Sequence, residues 1–71
     1  MRADGWAVTE NGTLKIRTVS DTRRAAIVNF LCTERHVLVL DDATDRQIED
    51  KWQELRGKAE VLAVTVAATL N

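Results

Sequence analysis

Near the start of the chain, two short runs of alternating polarity flank one turn signal. Residues 5–9 (GWAVT) and 13–18 (TLKIRT) are rich in β-formers, with Glu10-Asn11-Gly12 between them. They predict a hairpin in which loop length decides the faces. A two-residue Asn11-Gly12 loop opposes Val8 with Lys15 and Trp6 with Arg17. A three-residue loop, with Gly12 left-handed in a bulge, opposes Val8 with Leu14 and Trp6 with Ile16. Opposed residues share a face, so the longer loop gathers Trp6, Val8, Leu14 and Ile16 on one side. It sends Ala7, Thr9, Lys15 and Arg17 to the other. Burying large side chains at about 1.5–3 kcal/mol each outweighs an exposed cation–π contact of about 0.5–1 kcal/mol. The expectation is therefore the three-residue loop, with Trp6 in the core.

The period then changes from two to that of a helix. Ala26, Ile27, Phe30 and Leu31 repeat at helical spacing, and Ser20 or Asp21 is placed to cap the start. The helix is expected to end near 32–34. "HVLVL" at 36–40 fits a short strand or an apolar loop over the core. A second helix is announced by Thr44-Asp45-Arg46-Gln47, a capping box, with Ile48, Trp52 and Leu55 as a narrow apolar stripe. Arg46 and Asp50 stand four apart and are expected to pair weakly, and Gly57 is placed to terminate the helix. Residues 59–68 read as a strand: Leu62, Val64 and Val66 on one face, Val61, Ala63, Thr65 and Ala67 on the other. No charge interrupts residues 61–67 on either face, which predicts cover on both sides.

These elements give a single small α+β domain over residues 1–71, ordered β-β-α-(β)-α-β, with 1–4 and 69–71 frayed. The sheet is antiparallel or mixed with helices over one face, and Trp6, Phe30 and Trp52 are expected in the core.

Composition adds limits. Seventy-one residues support one core, and a domain of this size needs good packing or a partner chain where disulfides and metals are lacking. Cys32 is the one cysteine and His36 the one histidine, too few for an internal bridge or a structural zinc site. With 45% hydrophobic and 30% charged residues the chain is of the globular type. Net charge is −1, which provides no global attraction to nucleic acid or anionic membrane. The halves differ: residues 1–35 carry a net +2 and residues 36–71 a net −3, a polarity suited to orienting a partner. No apolar leader and no long apolar run is visible, so with the lone thiol a reducing cytoplasm is expected.

Candidate chemistry is sparse. Cys32 and His36 stand four apart and meet on one face only if the first helix continues that far; otherwise they are a half-buried thiol and a loop histidine. Asp41, Asp42 and Asp45 lack the glycine and spacing of a calcium loop and read as a solvated acidic turn. The glycines lie too far apart for a phosphate loop. No catalytic, cofactor or metal residue and no small-molecule ligand is assigned. Lys15, Arg17, Arg23 and Arg24 form the one basic set suited to a phosphate, Arg23 and Arg24 at a helix start whose free N–H groups already favour an anion. The aromatics fall on core stripes, which weakens single-strand stacking as a mode. Val61, Ala63, Thr65 and Ala67 form the candidate association strand, uninterrupted by charge or proline.

The order "GWAV", a second strand led by glycine, "SDTRRAAIVNFL", a Trp-bearing helix and an apolar final strand resembles small bacterial phage- and prophage-associated α+β proteins. Gly5, Trp6, Thr22, Arg23, Ala26, Ile27 and Trp52 carry the resemblance. It implies a bacterial or phage context and brings no activity, cofactor or catalytic residue. The expected function is a non-enzymatic interaction module, homodimeric or docked on a protein partner, with nucleic-acid or phosphate binding as the alternative.

Overall fold

The structure, a computed structural model, describes residues 5–64. The expected frayed ends, together with Thr65 and Ala67, lie outside the described residues. Strands β1 (Gly5–Glu10) and β2 (Thr13–Ser20) are followed by helices α1 (Arg23–Glu34) and α2 (Asp45–Leu55) and by β3 (Ala59–Val64). The sheet has the order β2-β1-β3 and is antiparallel throughout. The protein is thus an α+β fold in which α1 lies across all three strands and α2 packs on α1.

The hairpin departs from the expected register. Glu10 faces Thr13, Thr9 faces Leu14 and Val8 faces Lys15, so the loop is the two-residue Asn11-Gly12. Both loop residues have positive φ, 53° and 79°, the backbone of a type I′ turn, whose twist matches that of its strands. Leu14 and Ile16 consequently leave the helix side. The ladder then breaks: beyond Val8 the next pair is Trp6 with Ser20, so β2 bulges. Trp6 therefore meets neither Ile16 nor Arg17. It lies half-buried against the core rather than within it.

Thr18 fills the break. Fully buried, its hydroxyl accepts from the Val8 N–H at 2.8 Å and donates to the Lys15 carbonyl at 2.6 Å. A side chain thus replaces the strand partner that the bulge removes from the Val8 N–H, and the buried Thr18 hydroxyl is itself paired.

Thr22, not Ser20 or Asp21, caps α1, accepting from the Ala25 N–H. At the other end His36 takes a positive φ of 56° while the Val37 N–H donates to the Leu31 carbonyl at 2.9 Å. The capping box of α2 forms as expected, and Gly57, at φ 58°, follows its C-cap Arg56. The core joins Val8 and Ala59 of the sheet to Ala26, Ile27, Phe30 and Leu31 of α1 and Ile48 and Trp52 of α2. Phe30 and Trp52 meet edge to face, 5.5 Å between centroids. Residues 36–40 form no strand. Val37 and Val39 are half-buried against the core while Leu38 and Leu40 point to solvent.

Candidate functional site

The basic set is dispersed and largely neutralised. Lys15, expected on the outer face, lies on the helix side opposite Val8 and pairs with Glu34 of α1 at 3.5 Å. Because β2 is an edge strand, its ammonium reaches the rim of the sheet instead of the core. Arg23 forks onto Glu49 with contacts of 2.7 and 3.4 Å, and Arg24 pairs with Asp45 at 2.8 Å while donating to the Ala43 carbonyl. Two cations at the positive end of α1 are thus offset by carboxylates from α2. Arg17 is exposed and makes no ion pair among the described residues. Arg46 and Asp50 likewise form no pair; Lys51 and Glu54 do, at 3.3 Å.

The thiol and imidazole are not joined by a helix. α1 stops at Glu34, so helical spacing does not extend to His36, and both side chains are exposed. Among the described residues no group of three His, Cys, Asp or Glu is arranged to hold a metal ion. No helix there is long and apolar enough to cross a membrane.

One residue that carried no sequence signal organises the electrostatics. The Arg35 guanidinium donates to both Glu10 carboxylate oxygens, at 2.5 and 3.4 Å, and to the Leu55 and Arg56 carbonyls at the end of α2. It also sits over the Phe30 ring, 4.6 Å from its centroid. A planar cation with several donors can tie a strand end to a helix end in this way, and the carbonyls lie at the negative end of the helix dipole. The hydrogen bond from Arg35, aided by its charge and that of Lys15, holds the Glu10 carboxyl below its ordinary value. The Arg23 hydrogen bond does the same for Glu49 and raises Arg23 in turn. Each pair joins two elements of the fold: Arg35 with Glu10, and Arg23 with Glu49.

Two apolar surfaces stand out among the described residues. The first is the outer sheet face. Both helices lie on the Val8 side, so alternation places Ala7, Thr9, Leu14, Leu62 and Val64 opposite them. Leu14 is 46% exposed, Leu62 44%, and Ile16 at the start of the bulge 73%. The expectation that β3 is covered on both faces therefore fails in its described part. Of the association strand, Val61 is half-buried against the core and Ala63 is exposed, and the outer edge of β3 pairs with no other described strand. The second surface is a groove of about 780 Å³ between residues 37–44 and α2. Residues 37–40 thus form one wall of a groove shared with α2. Among known protein families, curated proteins and solved structures, nothing matches this chain.

Proposed function

We propose that this protein is a non-enzymatic interaction module that associates with a second copy of itself through the open face of its sheet. One observation carries the reading: both helices cover the same side, while Leu14 and Leu62, each a little under half exposed around the buried Ala7, and the more exposed Ile16 leave aliphatic surface without helix cover. A three-stranded sheet with aliphatic side chains partly exposed on its helix-free face is suited to a two-sided sandwich, in which a second copy would supply the other half. Isologous pairing needs no complementary partner surface, only one that matches itself. The Glu60 carboxylate, opposite Thr9 on that face, stands toward the hairpin end and leaves the aliphatic centre uncharged.

Phosphate or nucleic-acid binding has less support. Three of its four cations already face carboxylates, and of the three aromatics Phe30 and Trp52 are buried and Trp6 is half-buried against the core, which gives little ring surface for stacking. The bacterial or prophage setting rests on the sequence resemblance, and a reducing compartment on the lone exposed thiol of Cys32.

Sedimentation equilibrium across the micromolar range tests the proposal. The mass is expected to rise from monomer to dimer with concentration, and Ile16→Lys is expected to hold the chain monomeric with an unchanged circular dichroism spectrum. A native chain that stays monomeric throughout, or an Ile16→Lys chain that dimerises as well as the native one, contradicts it.

A further inference from the structure

The groove between residues 37–44 and α2 lies on the helix side, away from the sheet face, and its lining has a definite chemistry. Ile48, almost fully buried, and the half-buried Val37 and Val39 form an apolar floor. Leu38 and Leu40, 83% and 63% exposed, border it with aliphatic side chains that the fold itself does not use. The polar lip carries Asp42, Asp50 and Glu54 against the single ammonium of Lys51, which already faces Glu54. Asp42 and Asp50 make no ion pair among the described residues. The lip belongs to the acidic half of the chain, residues 36–71, whose net charge is −3.

From this pairing of apolar floor and acidic lip we infer that the groove receives a cationic amphipathic helix of a partner protein, with aliphatic anchors between lysines or arginines. Anchors of that kind fill grooves by burying one apolar stripe, while flanking cations meet the lip carboxylates and set orientation and rate. An anionic lipid surface or a nucleic acid is repelled by the same lip, and an acidic peptide finds no cation free to receive it. The inference does not depend on self-association through the sheet.

The test uses the full chain and two synthetic helical peptides of equal length, one built of leucine and lysine, the other of leucine and glutamate. Amide shifts are followed by NMR. Saturable shifts confined to residues 37–44 and 47–54 are expected with the lysine peptide, weakening as salt rises. The glutamate peptide is expected to bind at least about tenfold more weakly, a discrimination typical of like against opposite charge at a rim. Leu38→Ser with Leu40→Ser, and separately Asp42→Asn with Asp50→Asn, are each expected to weaken the lysine peptide by about tenfold or more. All four positions are exposed, so the variants are expected to keep the native tryptophan emission, which checks the fold. Equal binding of the two peptides, shifts centred elsewhere, or full affinity in either double variant overturns the inference. Groove shifts that depend on protein concentration without peptide also overturn it, by assigning the groove to a second copy.

Discussion

The Thr18 hydroxyl accepts one backbone hydrogen bond and donates another where β2 leaves its ladder. Thr18→Val keeps the shape and removes both bonds, leaving the buried Val8 N–H without its partner. A loss of about 1–3 kcal/mol is expected in urea unfolding, with Thr18→Ser losing much less because it keeps the hydroxyl. Arg35 is the second residue of consequence, and pH reports on it. Glu10 and Glu49 have folded-state pKa values below the ordinary 4.5. The unfolded chain therefore takes up more protons as pH falls toward and below that value, so their stabilisation is present above it and is lost in acid. Stability is expected to decline through this window, and Glu10→Gln to flatten the decline. Glu49→Gln should do so less, because its pair with Arg23 is more exposed. Neither Thr18 nor Arg35 was legible in the sequence. Each acts through partners set by tertiary structure, and no local spacing marks them.

At the scale of elements, what was local was legible. The Thr44–Gln47 capping box, the Ile48–Trp52 stripe and the Gly57 stop all depend on neighbours within a turn or two, and all formed. Register was not local. Asn11-Gly12 favoured the two-residue turn, and the case for burying Leu14 and Ile16 assumed an unbroken ladder and a covered sheet. The bulge at Thr18 and the edge position of β2 remove both assumptions: Lys15 reaches Glu34 at the rim without burying charge. The cap of α1 moved to Thr22 for a related reason, since β2 extends to Ser20 and holds that residue in the strand. Gly12→Ala is expected to cost roughly 1 kcal/mol through backbone strain alone, because nothing lies near the added methyl. Thr44→Ala is expected to cost about 0.5–2 kcal/mol by removing the cap from α2. Thermal or urea unfolding measures both.

For the molecule as a whole, the layer order explains why part of the hydrophobic pattern found no cover. α1 packs on the sheet and α2 on α1, which leaves Leu14, Ile16 and Leu62 without helix cover. The sequence showed apolar residues on both faces of the last strand; it held no information on whether this chain or another covers them. On the isolated chain Leu62→Lys is expected to shift unfolding by less than about 0.5 kcal/mol, the behaviour of a surface position. In the concentrated native protein the same change is expected to remove the added stability that association confers, read as a melting temperature that no longer rises with concentration.

The most direct measurement is an isotope-filtered NOE experiment on an equal mixture of ¹³C-labelled and unlabelled chains. Contacts between copies are expected at the methyl groups of Leu14, Ile16 and Leu62. Their absence at concentrations where the chain is dimeric, or contacts arising from Leu38 and Leu40 instead, contradicts the sheet-face interface.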